Sequence, residues 1–158
     1  MAKGKTNAMR ILDAAKIQYE MLTYEAKDGK IDGLSVAAKI GKDPANVYKT
    51  LVAQGNSKAV YVFVIPVGDE LSLKKAATAA GEKKMEMVAV KDIQKLTGYI
   101  RGGCSPIGMT KKYPTFIHEA IANHDEIIVS GGKIGMQIVI EPSRLAEMTE
   151  AHFTDLIQ

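Results

Sequence analysis

The chain has no tryptophan, a single cysteine, five prolines and no long apolar run, and each scarcity narrows what it can be. One thiol, Cys104, cannot close an internal disulfide, which suits a reducing compartment. There is no Cys-x-x-Cys, and His118, His124 and His152 lack zinc-ligand spacing, so neither a metal nor a cofactor is expected. No stretch reaches the roughly 18 consecutive apolar residues of a membrane span. The opening Met1-Ala2-Lys3-Gly4-Lys5 is basic, but Thr6, Asn7 and Arg10 follow where a secretory leader has its apolar core. These features predict a cytoplasmic protein with no membrane partner.

What is present is ordinary globular material. Hydrophobic residues make up 46% of the 158 and charged residues 25%, enough apolar surface for a core without disulfides. No repeat, linker or low-complexity tract interrupts the chain, so 1–158 reads as one domain. Net charge is +3, with lysine doublets at 74–75, 83–84 and 111–112. The doublets fit a phosphate-bearing partner and fit equally an ordinary solvated surface.

The spacing of Met9, Leu12 and Ala15 predicts a first helix capped by Thr6 or Asn7 and ending near Gln18. Tyr19–Tyr24 reads as extended, and 27–33 as a glycine- and charge-rich loop. Ser35 reads as the cap of a helix over 36–40, and Asp43-Pro44 as a capped turn before a strand at 47–52. The run AVYVFVIPV at 59–67 is apolar on both faces and predicts a central strand. Helices follow at Ser72–Ala80 and Val90–Thr97, each stopped by glycine, with a short strand at 85–90 between them. Extended structure is expected at 115–120 and 126–129, a hairpin turn at Gly131-Gly132, its partner strand at 135–140, and a helical segment from Pro142 to about Leu156. Helices scattered among six or more strands, with an antiparallel hairpin near the end, predict an α/β fold on a mixed, strongly curved sheet.

Three places stand out for chemistry. Lys49 alternates with Val47 and Leu51 on one face of its strand, either snorkelling at an edge or aimed into a pocket. The loop Gly102-Gly103-Cys104-Ser105-Pro106-Ile107-Gly108 reads as a plain turn or as backbone N–H groups brought close to a ligand. Ser130-Gly131-Gly132-Lys133 lacks the following helix of a phosphate loop and reads as a hairpin, with Ser130 free to face a cleft. Cys104 is a nucleophile only where a base approaches it in space.

These segments resemble a known family. Asp43-Pro44-Ala45-Asn46-Val47-Tyr48-Lys49-Thr50-Leu51, Thr97-Gly98-Tyr99 through Gly108, and Val129-Ser130-Gly131-Gly132-Lys133 are similar in content, order and distance to three blocks of the YbaK family of aminoacyl-tRNA deacylases. The resemblance runs over nearly the whole chain. It implies one domain around a barrel-like sheet flanked by helices, a domain also inserted in some prolyl-tRNA synthetases. It implies hydrolysis of mischarged aminoacyl-tRNA, foremost Cys-tRNA(Pro) and also Cys-tRNA(Cys), with the substrate's own thiol attacking the ester. It casts Lys49 as the essential catalytic lysine, and Tyr24, Thr50, Gly102, Gly103, Ser130 and Gln137 as substrate contacts. It also points to a complex with prolyl-tRNA synthetase; the chain itself is taken as a monomer.

Two departures bear on the amino acid accepted. Gln137 stands where close relatives carry aspartate, and an amide supplies no negative charge to an ammonium. Ile31 and Asp32 stand near the place of the family's Asn-Phe pair. A deacylase for alanine or another small residue, and a non-catalytic nucleic-acid-binding regulator on the same fold, are the rival readings.

Overall fold

The computed structural model describes residues 5–158; the basic character of Met1–Gly4 lies outside them. Helix α1 (Asn7–Ala14) starts where Thr6 Oγ1 accepts the Met9 amide and buries Ala8, Met9 and Leu12. It stops four residues sooner than its periodicity predicts. Lys16 adopts φ 60, its N–H donates to the Asp13 carbonyl, and the Ile17 N–H reaches back to the Leu12 carbonyl. That is a Schellman ending, sealed by Ile17 and Leu12 in the same core; with lysine at the usual glycine position, the sequence conceals it.

Strand β1 (Glu20–Thr23) leads through the 24–32 loop to α2 (Gly33–Lys39). Asp32, not Ser35, caps α2, accepting both the Ser35 amide and the Ser35 hydroxyl. A 3-10 turn at Pro44–Asn46, capped by Asp43 as expected, delivers the chain into β2 (Tyr48–Gly55). Strand β3 (Val60–Pro66), α3 (Leu73–Ala80), β4 (Met85–Met87), α4 (Val90–Thr97) and β5 (Thr115–His118) follow. Then come β6 (Ile127–Lys133), β7 (Met136–Ile140), α5 (Pro142–Thr149) and β8 (His152–Thr154).

The strands form two sheets, not one. Five run in the order β4-β2-β3-β5-β8, antiparallel around β2 and parallel from β3 to β8; three run antiparallel as β1-β7-β6. Among the described residues one parallel bridge, Val47 to Ile128, links them, so the curved wall is barrel-like and open. Strand β3 is central, and its apolarity on both faces has a direct cause. Val62 and Val64 pack with Met9, Leu12, Val129 and Ile138 between the sheets, while Phe63 and Ile65 pack with Ala76, Ala77 and Leu156 beneath α3. Phe63 stacks on Phe116 at 5.6 Å between centroids. Each such large side chain, fully buried, contributes about 1.5–3 kcal/mol.

Three further expectations need correction. The β6–β7 turn falls at Ile134-Gly135, while Gly131-Gly132 lies inside β6, where the register slips between the Ser130–Gln137 and Lys133–Met136 pairs. This bulge is tied to α1, because the Thr6 hydroxyl donates to the Gly131 carbonyl at 2.5 Å. The C-terminal segment is not helical to Leu156: Glu150 turns left-handed at φ 52, and β8 then pairs with β5. Likewise the 115–120 segment ends as a strand at His118 and continues as a 3-10 turn over Glu119–Asn123.

Candidate active site

The opening between the two sheets is the site. Among the described residues, strand β4 pairs with β2 at Ala53–Gly55, and the other sheet bridges to this segment by backbone at Val47. The stretch between has one edge unpaired. The Val67 amide donates to the Val47 carbonyl, and the Val88 amide to the Val52 carbonyl. Odd-numbered residues here therefore bond toward β3, and Thr50 turns its N–H and C=O the other way, into the gap.

A cavity of about 490 Å³ occupies that gap. Tyr48, Lys49, Thr50 and Leu51 form its β2 side; Ser130 and Gln137, directly opposite one another on β6 and β7, form the second. Gly29, Ile31 and Asp32 close it from the loop before α2, with Gly33 and Val36 behind them. Arg101, Gly102 and Cys104 complete the wall.

Of the seven residues singled out from the sequence, five meet here: Lys49, Thr50, Gly102, Ser130 and Gln137. Tyr24 does not line this cavity. It lies in a neighbouring hollow with Asp28, Lys39 and Ile134, its ring 5.8 Å beneath the Lys39 ammonium. Ile134 separates the two hollows, since it also packs beside Gly102. Gly103 is outside too, and its N–H is already donated to the Ile100 carbonyl. Its lack of a side chain serves packing: a Cβ there would sit 2.8 Å from the Ile134 nitrogen. Gly102, at φ 87, is the glycine of the pair that lines the cavity.

The polar groups are arranged to accept a ligand. The Thr50 Oγ1 and Tyr48 hydroxyl, like the Tyr24 hydroxyl in the neighbouring hollow, are buried without a partner among the described residues, an arrangement that costs about 1–3 kcal/mol per group until something pairs with it. Burial pushes the Tyr48 hydroxyl up to about 12, with Asp69 adding to it, so it stays a neutral donor at physiological pH. Ser130 Oγ accepts the Gly132 amide at 3.2 Å, which leaves its own proton to donate. Lys49 is half-buried on the face of β2 that also carries Leu51, opposite Ile65, and makes no ion pair among the described residues. Gln137 is 6% exposed.

Cys104 lines the cavity as a thiol. Burial pushes it up to about 11, against a smaller opposing effect of the Thr97 hydroxyl, 3.9 Å from the sulfur. At neutral pH almost none is thiolate, the nucleophilic form. The histidines serve the framework. His118 Nδ1 accepts the Leu156 amide, His124 meets the Asn46 amide, and His152 packs on Phe116. Two lysine doublets are partly spent on ion pairs, Lys75 with Asp155 and Lys112 with Glu150.

Arg101 and Asp32 are the charged cavity residues that motif comparison does not assign. Asp32 lies in the loop rich in charge and glycine and Arg101 in the glycine-proline loop, and that two such distant loops share one cavity has no local signature. Among the described residues, no helix is long and apolar enough to cross a membrane.

Comparison with known proteins gives the chain a family. The family model for the aminoacyl-tRNA editing domain matches residues 34–148, which contain four of the cavity's five singled-out residues on β2, β6 and β7 and the fifth, Gly102, on the loop. EbsC of Enterococcus faecalis, a candidate Cys-tRNA(Pro)/Cys-tRNA(Cys) deacylase, is 43% identical over 152 residues, covering 96% of this chain and 93% of that protein. Among solved structures, a candidate trans-editing enzyme for prolyl tRNA synthetase superposes with a TM-score of 0.84 at 22% identity, over 99% of both chains. The hypothetical protein APE2540 superposes at 0.87 and 21%, over 97% of this chain and all of that one. At these identities the two structures speak for the fold alone. The family match and the relative together place the chain in the aminoacyl-tRNA editing domain family.

Proposed function

We propose that this protein hydrolyses the ester of mischarged aminoacyl-tRNA in the cytoplasm, with Cys-tRNA(Pro) as its foremost substrate and Cys-tRNA(Cys) as a second. The observation that carries this reading is the convergence of Lys49, Thr50, Gly102, Ser130 and Gln137 on one cavity at an open strand edge. The identity with EbsC supports the choice of substrate.

An aminoacyl ester is already activated, so the protein has to orient it and stabilise the oxyanion that develops. Lys49 takes the phosphate or ribose of the terminal adenosine as a compact charge. Thr50 and Ser130 donate their hydroxyl protons to the aminoacyl group, and Gly102 lets it approach the backbone. Gln137 offers a neutral amide to the same group. Gly103 and Tyr24 act from outside, by packing and by supporting the adjoining loop.

The attacking group comes from the substrate. The cysteinyl sulfur forms a bond to its own carbonyl carbon, the carbonyl–ribose C–O bond breaks, and the thiol proton ends on the ribose oxygen. The products are free tRNA and a small thiolactone, which water opens to cysteine. Holding sulfur and carbonyl together supplies the large effective concentration of an intramolecular reaction. A cavity thiol kept protonated does not compete with it. Selection among tRNAs is left to a partner, for which prolyl-tRNA synthetase is the natural candidate.

The test is deacylation of Cys-tRNA(Pro), Ala-tRNA(Pro) and Cys-tRNA(Cys) by the wild type and Lys49→Ala. The wild type is expected to clear the cysteinyl esters fastest, and Lys49→Ala to lose turnover by about a hundredfold or more while melting as the wild type does. Equal turnover by the variant removes Lys49 from the reaction; preference for the alanyl ester removes the substrate thiol from it.

A further inference from the structure

The cavity carries both signs of charge, unequally. Lys49 and Arg101 are its cations; among the described lining residues, Asp32 carries the one carboxylate, and Gln137 is neutral. An aminoacyl-tRNA end is itself of two signs, with phosphates on one side of the ester and an α-ammonium on the other. Two lysine- and arginine-type charges suit the first and repel the second. An ammonium brought beside two cations is repelled, and an anion on the aminoacyl side offsets that repulsion.

We propose that Asp32 is that anion: its carboxylate receives the α-ammonium of the aminoacyl ester and so determines that a free amino acid, not an N-blocked one or a peptide, is accepted. The inference rests on the deacylase reading above and deepens it. The carboxylate is held in place before substrate arrives. Oδ1 accepts the Ser35 hydroxyl at 2.7 Å and Oδ2 the Ser35 amide at 3.1 Å. These occupy about two of its four or so lone-pair sites, leaving the others for an ammonium. The same two bonds from Ser35 hold Asp32 below the usual carboxylate range, so it is charged wherever tRNA is handled. Capping α2 and binding the ammonium are thus compatible duties of one side chain.

The experiment separates the two duties. Asparagine and serine both cap helices well but carry no charge, so Asp32→Asn and Asp32→Ser keep α2. Each is compared with the wild type under single-turnover conditions on Cys-tRNA(Pro) and on the same tRNA carrying N-acetylcysteine. With the free amine, kcat/KM is expected to fall about tenfold in both variants. N-acetylation is expected to slow the wild type by a similar factor and to leave the variants no slower than the acetylated wild type. A variant that loses equally on both substrates shows that Asp32 is a cap only, and one that loses on neither shows that the ammonium is bound elsewhere; either outcome overturns the proposal. If the wild type leaves both esters intact, the deacylase reading itself fails and this inference falls with it.

Discussion

The sheet sides of the cavity and its loop side are held by different forces. Behind Ser130 and Gln137 lie Val129, Ile138, Ile128 and Val139, all buried in clusters shared with α1 or α2 and the five-stranded sheet. The 24–32 loop has no such backing. Beyond its own turns and the Tyr24 amide on the Gly135 carbonyl, one ammonium gathers it: Lys39 donates to the Glu25 carbonyl, the Asp28 carboxylate and the Lys30 carbonyl. The sheet sides cannot shift without disturbing the core, whereas the loop can loosen alone, which is the usual division between scaffold and adjustable cover. The largest break in this contrast comes from Ile138→Ala. Ile138 is fully buried in the main cluster, so truncation is expected to cost 2–5 kcal/mol in urea unfolding. A loss below about 1 kcal/mol would mean that this side of the site is not core-supported.

The third side, the 101–104 loop, stands between these extremes, and Cys104 measures how far. It packs with Val52 and Tyr99, and burial pushes its thiol from 9.0 to about 11. A raised pKa means that the folded state holds the proton more tightly than the unfolded chain. Its stabilising effect is complete below pH 9 and is lost as pH rises toward 11. The difference is worth roughly 2–3 kcal/mol. Urea unfolding at pH 7, 9 and 11 is therefore expected to show the wild type losing that much relative to Cys104→Ala across the upper interval. Parallel pH curves for the two proteins would place the thiol in contact with solvent and make this loop a second loose cover.

Much of this organisation is legible in the chain. The apolar run at 59–67 gives the central strand because a strand covered on both faces needs no alternation. Asp43-Pro44, Ser72 and the glycines at 81 and 98 mark their helix ends through local chemistry alone. Other features carry no local mark. Lys16 and Glu150 take left-handed helix endings without glycine, and the Gly131-Gly132 pair reads as a turn when it is a bulge bonded to Thr6, 125 residues away. In the site, Lys49 and Ser130 stand out through motif, yet their meeting depends on a gap in strand pairing. Gly103 and Tyr24, which likeness to the family sets at the substrate, lie beside this cavity and not in its lining, Gly103 against the Lys133–Ile134 backbone and Tyr24 in the hollow that Ile134 also lines.

The smallest effect on stability, and the sharpest on the contrast between the sides, is expected from Lys39→Met. Lys39 bonds only to the loop, through partners at or near the surface, and charge pairs of that kind contribute little to global unfolding. The melting midpoint should stay close to that of the wild type. Amide exchange should instead rise across residues 25–31 while β6, β7 and α1 keep their protection. Acid should reproduce this in the wild type. The hydrogen bond from Lys39 holds Asp28 below its ordinary 3.8, with the Lys30 amide assisting. A depressed carboxylate stabilises the fold above its unfolded pKa and loses that effect as pH falls through the folded value. Protection of the loop amides, taken relative to their intrinsic rate at each pH, should thus stay high from neutrality to about pH 4 and fall below it, and Lys39→Met should show low protection at every pH. A loop that exchanges slowly in the variant at pH 7 would mean that its order comes from Ile31 packing beside Gly102, and the cover would then share the support of the 101–104 loop instead of depending on a single ammonium.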